Sequence, residues 1–217
     1  MIKEVRNLGV ILGIVLVICY GVYKFALSTG EKKMIVPAIQ QVPMVSNLVA
    51  NHSFSSGPAD AKVTVVEFFD PECESCAAVA PIIKNEMKYY EGKVRWVFRY
   101  MAYHQNSKAA VKVLEAARKQ NLFLEVKDTL FEKQKIWGER QGSMENEILK
   151  IVSQIKSLDI NKLKKDMNDP SILDVISKDK IEGEKSGVHG TPTFFVNGIL
   201  IEELDMDLLI KKINERL

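Results

Sequence analysis

Cys73 and Cys76, three positions apart with Glu74 and Ser75 between them, can do one of two things: exchange disulfides with other thiols, or supply half of a four-ligand zinc site. Zinc needs a second half. The remaining cysteine, Cys19, lies in an apolar N-terminal segment, and His52, His104 and His189 are scattered rather than paired at ligand spacing, so no metal is expected. Three cysteines build no disulfide framework, and the redox-active disulfide Cys73–Cys76 is the only cofactor the chemistry asks for. Exchange does require the two thiols to differ. The pair stands where a strand-like run hands over to a helix-like one, and a helix N-terminus offers free N–H groups and about half a positive charge, which favour thiolate over thiol. Cys73 is expected at the exposed edge and Cys76 one turn further in, on the same face and near enough to bond. Cys73 would then attack a partner's disulfide, and Cys76 would resolve the mixed disulfide by attacking Cys73. Glu74 places a negative charge beside that thiolate and opposes its formation, while Ser75 can donate one hydrogen bond to it.

The elements that must hold this pair are legible from pattern. Residues 63–69 are β-branched and aromatic almost throughout, which suits a central strand covered on both faces, and Pro71 ends it. Residues 75–90 carry apolar side chains at helical spacing and close at Gly92; residues 94–103 read as a second strand. Such a strand-helix-strand unit folds as a parallel pair with a right-handed crossover. From 107 to 186 nothing reads as strand, and helical segments follow one another with breaks near Asn121, Gly138 to Ser143, Asp159 and Pro170. Residues 193–196, Asn197-Gly198 and 199–202 form a hairpin signal, and an amphipathic helix closes the chain from Asp205.

Three further features bear on the site. Gly190-Thr191-Pro192-Thr193 opens the hairpin, Pro81 lies five residues after Cys76, and Glu67 interrupts an apolar strand six residues before Cys73. Alone, each has a plain reading: a turn, a helix proline, an edge-exposed glutamate. Together with the cysteine pair at a strand-to-helix junction, they resemble the thioredoxin superfamily, in particular its DsbA-like branch, over about residues 57–217. The resemblance implies an α/β thioredoxin fold with a helical insertion, at about 106–186, between the strand-helix-strand half and the C-terminal hairpin-helix half. It implies a protein thiol-disulfide oxidoreductase that forms or exchanges disulfides in exported proteins, with a reductase or isomerase of the same fold, or a redox-inert peptide-binding module, as alternatives. Gly190, Thr191 and Pro192 would be the cis-proline loop that offers backbone to an incoming peptide. Glu67 would be the acid buried beneath Cys76, placed to take its proton, with Arg99 or Arg95 on the next strand as its partner. His189 is a candidate to stabilise the Cys73 thiolate; the other reading is an exposed loop histidine. His52 and His104 read as surface or cap residues, Trp96 and Trp137 as packing. The chain departs from the family where Pro71-Glu72 replaces the Trp that often precedes the first cysteine, and where the intervening pair is Glu-Ser rather than Pro-His.

Residues 8–23 are uncharged, and the stretch reaches 27 if Lys24 snorkels, about 30 Å of helix and enough to cross a bilayer core. An uncleaved transmembrane anchor within 1–28 is expected over a cleaved signal peptide, because Lys24 stands too close to the small residues of Ala26-Leu27-Ser28. Residues 29–58, with Pro37, Pro43, Gly57 and Pro58, read as a tether with a short helix near 45–50, leading into a domain over 59–217. A net charge of +2 argues against nucleic acid as the partner, and Lys162, Lys164 and Lys165 read as the solvated face of a helix. The expected setting is therefore the bacterial inner membrane, with the domain in the periplasm or outside the cell, or a secreted form after cleavage. The expected partners are exported proteins carrying thiols or disulfides and a membrane protein that resets the cysteine pair.

Overall fold

Residues 63–69 become the middle of a mixed five-stranded sheet in the computed structural model of the chain, which describes residues 20, 24, 48–138 and 140–217. Residues 1–41 and 42–217 are separate units, and everything below concerns the second. The anchor expected over 8–27 and the tether up to residue 47 lie outside the described residues, Tyr20 and Lys24 excepted. Among the described residues no helix is long and apolar enough to cross a membrane.

The chain runs β1 (Phe54–Ser56), β2 (Val63–Phe69), α1 (Glu74–Tyr89), β3 (Val94–Tyr100), then α2 (Ser107–Arg118), α3 (Phe123–Glu132), α4 (Gln134–Trp137), α5 (Glu145–Val152), α6 (Ile160–Asp166) and α7 (Ser171–Lys185). It closes with β4 (Thr193–Val196), β5 (Ile199–Ile201) and α8 (Met206–Asn214). The strand order is β1-β3-β2-β4-β5. β2 pairs in parallel with β3 from Val63↔Val94 to Phe69↔Tyr100, and antiparallel with β4 from Val65↔Val196 to Phe68↔Thr193. Paired on both edges and covered on both faces, β2 has little use for polar side chains, which explains its near-continuous apolar run. This is a mixed α/β fold with a helical block between β3 and β4, from β2 onward the element order expected from the sequence.

Strand alternation sends Val63, Val65, Glu67 and Phe69 to one face, where they share a large core with Val79, Ala80 and Ile83 of α1 and Leu209 and Ile213 of α8. Val66 and Phe68 face the other way, onto a smaller cluster with Val97, Met101 and Phe195. There α7 comes so near that a Cβ on Gly183 would lie 2.7 Å from Met101 Sδ and 3.0 Å from Phe68 Cε1. The hairpin turns as its sequence demands, with Asn197 and Gly198 at φ 49° and 82°, the left-handed region a two-residue turn needs. The Asn197 side chain also accepts from Thr64 N at 2.7 Å and donates to Lys62 O at 3.0 Å, pinning the turn to the start of β2.

Two findings differ from expectation before β2. Residues 54–56, inside the stretch read as tether, form β1 on the edge of β3 with Phe54 opposite Phe98, and the Phe54 ring stacks on Phe123 at 4.0 Å. Leu48 is buried, and residues 48–50 are bends rather than helix. The physical reason is that a partly buried strand of three residues is held by its neighbours, so Phe-Ser-Ser carries almost no pattern of its own.

Candidate active site

Cys73 is the N-cap of α1, in an extended conformation (φ −74°, ψ 124°) with no side-chain cap bond, so the sulfur rather than a capping oxygen sits at the helix start. Its own N–H donates to Asp70 O at 3.1 Å, and its carbonyl accepts the first helical bond from Ala77 N. Cys76 follows one turn in and is fully buried, while Cys73 is part exposed; both are free thiols, and their side chains are hydrogen-bonded to each other. Pro81 lies inside the helix, as expected. The Thr191-Pro192 bond is cis, and it brings Thr191 O within 3.3 Å of Cys73 Sγ, which donates to it.

The two thiols differ as the helix-terminus argument requires. Cys73 is lowered to about 5, first by the hydrogen bond from Cys76, and further by the Thr191 side chain and the backbone N–H groups of Cys76 and Ser75, against the cost of burial. The Cys76 thiol is pushed far up by burial, then by its bond to Cys73 and the charges of Cys73 and Glu67. Ser75 thus contributes its backbone amide; its side chain and that of Glu74 are exposed.

Glu67 is buried below the pair, and burial raises its pKa, with the charge of Lys127 pulling the other way. Its Oε2 has no hydrogen-bond partner among the described residues. The arginines named as its partners do not reach it, because both project from the opposite face of the sheet. Arg99 aligns with Phe68, lies over that ring at 5.2 Å, and pairs with Asp179 (2.6 Å) and Glu182 on α7; Arg95 aligns with Thr64 and points toward Ser55. The cation near Glu67 comes instead from the insertion. Lys127 of α3 is buried, its ammonium 4.8 Å from the centre of the Phe98 ring and 5.4 Å from that of Phe131.

His189 and Gly190 are exposed at the start of the cis-proline loop, and with Thr191, Pro192, Phe194 and Leu204 they line a cleft of about 620 Å³. His104, read from sequence as a surface or cap residue, is exposed, and against the effect of burial its pKa is raised by Asp70 and in part by the charge of Cys73. His52 is no plain surface residue, since its Nε2 lies 2.7 Å from the buried Asp179.

Pattern reading missed the anchorage of the loop before Cys73. Asp70, fully buried, accepts from Glu72 N (2.8 Å) and the Ser107 hydroxyl through Oδ1, and from Tyr103 N (2.7 Å) and His104 N (3.2 Å) through Oδ2, which also lies 2.8 Å from His104 Nδ1. Glu72, also buried, accepts from Asn106 N and Nδ2. Gln134 of α4 donates through Nε2 to Pro71 O (2.9 Å) and Cys73 O (3.0 Å). The only signal in the sequence was Asp70-Pro71-Glu72 itself, two acids directly before a cysteine at the end of a buried strand.

The family described as Thioredoxin matches residues 50–215. Over 169 residues the chain is 29% identical to a protein named Na(+)/H(+) antiporter NhaA from Herminiimonas arsenicoxydans, with 78% of this chain and 25% of that protein covered. It is also 29% identical over 227 residues to a probable disulfide bond formation protein D from Bacillus cereus, covering 99% of this chain and 98% of the other. The chain thus spans about a quarter of the length of the first relative and nearly all of the second. Among solved structures, oxidised BdbD from Bacillus subtilis is similar at 25% identity with a TM-score of 0.66, covering 75% of this chain and 91% of that one.

Proposed function

The chain belongs to the thioredoxin family, and from that premise we propose that it is a DsbA-like protein thiol-disulfide oxidoreductase working through Cys73 and Cys76 on exported proteins. The observation that carries the reading is the inequality of the two thiols, one lowered to about 5 at a helix terminus and the other buried and pushed up. In the oxidising direction a client thiolate attacks Cys73 Sγ of the disulfide, the Cys73–Cys76 bond breaks, and Cys76 leaves as a thiolate that takes up a proton, with Glu67 as its neighbour. A second client thiolate then attacks the client sulfur of the mixed disulfide and expels Cys73 as a thiolate. Stabilising that leaving thiolate stabilises the reduced enzyme, which makes the couple oxidising. The cis-proline loop, Gly190 to Pro192, would hold the client's backbone alongside Cys73 during the exchange.

Glu74 supports the second reading, a reductase or isomerase, because its carboxylate beside Cys73 disfavours the thiolate. The couple needs no further cofactor. Residues 8–27 would anchor the chain with the domain on the far side of the membrane, where oxidisable clients occur and a membrane partner resets the pair. Equilibration with glutathione tests the direction: the expected potential lies between about −270 mV, thioredoxin's value, and about −120 mV, that of DsbA. In the same preparation Cys76→Ala should trap mixed disulfides with clients and Cys73→Ala almost none. A dithiol that never equilibrates, or equal trapping by both variants, would sink the assignment.

A further inference from the structure

Two buried carboxylates, Asp70 and Glu72, stand directly before Cys73. Both accept hydrogen bonds from the loop between β3 and α2, so that loop is tied directly to the segment that carries Cys73. The loop between β3 and α2 supplies an imidazole. His104 is tied to Asp70 twice, by its backbone N–H and by Nδ1, and Asp70 in turn receives Cys73 N on its carbonyl and Glu72 N on its carboxylate. The Ser107 hydroxyl and Tyr103 N complete the shell of Asp70. A ring held through Nδ1 to a carboxylate has one orientation, and its side chain, 44% exposed, keeps access to solvent protons. The charged groups around it are Asp70, Glu72 and Cys73 on the adjoining loop, with Tyr103 beside it and Glu184 of α7 acting on that tyrosine.

We propose that His104, fixed by Asp70, is a positioning cation that adds to the stability of the Cys73 thiolate from outside the Cys-x-x-Cys and so tunes the reactivity of the couple. It does from the β3–α2 loop what Glu74 and Ser75, with no cation between them, do not do from within the motif. Burial alone would lower the pKa of His104, but the hydrogen bond and charge of Asp70, followed by the charges of Cys73 and Glu72, raise it. The charge of Cys73 is among the causes that raise His104, while the lowering of Cys73 is led by Cys76 and the helix start, so the imidazolium adds to a thiolate that these already hold. The assignment rests on the exchange reading for its consequence, but not for its geometry.

The test uses the full-length reduced chain and follows thiolate absorbance against pH. His104→Gln keeps a donor for Asp70 and removes the charge; His104→Lys keeps a positive charge. The Gln variant should bind the Cys73 proton about threefold to tenfold more tightly, a shift of about half to one pH unit, and the Lys variant should titrate near the wild type. In glutathione equilibration the Gln variant should move toward reducing potential by up to about 30 mV, the equivalent of tenfold. Conversely, Cys73→Ser should lower the His104 pKa read by imidazole NMR. Unchanged titration in the Gln variant, or equal shifts in Gln and Lys, would overturn the proposal. Because Asp70→Asn disturbs a fully buried hub of hydrogen bonds and with it the fold of the loop, the exposed His104 carries the test. If the wild type failed to equilibrate with glutathione, the exchange reading would fall while the thiolate titration still decided the role of His104.

Discussion

Glu67 is a carboxyl under two opposed influences. Burial drives it neutral, the ammonium of Lys127 draws it toward ionisation, and one of its oxygens makes no hydrogen bond among the described residues. A carboxyl so balanced can take a proton from a neighbouring thiol at little cost, and Cys76, whose own pKa is raised partly by the Glu67 charge, is that neighbour. Glu67→Gln keeps the shape and abolishes the proton exchange. It should slow Cys76-dependent release of a mixed disulfide by about tenfold or more, with a smaller effect on attack by Cys73, as stopped-flow fluorescence can resolve. Stability should follow pH with a definite sign. The folded pKa of Glu67 lies above its ordinary 4.5, so its neutral form stabilises the fold fully below that value, and the contribution is lost as pH rises through the folded pKa. Urea unfolding of the Gln variant relative to wild type should therefore improve from pH 4 to pH 8, and identical release kinetics across that range would leave Glu67 a structural residue.

The segment before β1 shows how elements remote in sequence are joined beneath the sheet. Arg99 on β3 donates to Asp179 on α7 and to Leu48 O at 2.9 Å; Asp179 also accepts from Tyr100 N at 2.8 Å and meets His52. Arg118 on α2 reaches the carbonyls of His52 and Ser53. Asp179→Asn leaves the buried Arg99 with Glu182 as a counter-ion but weakens a fully buried pair, so it should cost about 1–3 kcal/mol in urea unfolding, and a loss below about 0.5 kcal/mol would show the network to be incidental. None of this was legible beforehand. Alternation says that residues 95, 97 and 99 share a face but not which one, and Asp179, a partner of Arg99, lies 80 residues away on a helix. What could be read was local: the breaks at Asn121, which takes φ 61°, and at Asn197-Gly198, the proline within α1, and the cysteine spacing itself. The same limit divides the site. Cys73, Cys76 and the cis-proline loop announced themselves by short motifs, whereas Asp70 meets His104 across 34 residues and Gln134 meets Cys73 across 61, distances at which composition and period carry no information.

The stability of the folded domain and the potential of its cysteine couple are linked, because the two redox forms differ at one bond and stability gained by one is gained by its side of the couple. The disulfide closes a loop of four residues and restrains the unfolded chain by about 2 kcal/mol, less than a longer loop would. The dithiol form instead gains from ionising Cys73, at about 5 in the folded chain against 9.0 for an ordinary thiol. A depressed pKa of this sort contributes stability that is fully present above the unfolded value and is lost as pH falls through the folded one. The gain therefore builds between about pH 5 and pH 9. Cys76 does not offset it in that window, since its pKa is raised and its cost begins only where an unfolded thiol would ionise. The dithiol form should then unfold at a higher urea concentration than the disulfide form at pH 7 to 8, the order should reverse near pH 5, where only the loop restraint of the disulfide remains, and the difference should stop growing above pH 9. Cys73→Ser, which has no thiolate to lose, should show no such slope. Whichever form the fold favours is the form the couple drives toward, so a more stable dithiol means a chain that hands its disulfide to clients. A disulfide form that unfolded later than the dithiol at neutral pH would reverse the direction of the chemistry and leave the reductase or isomerase in its place.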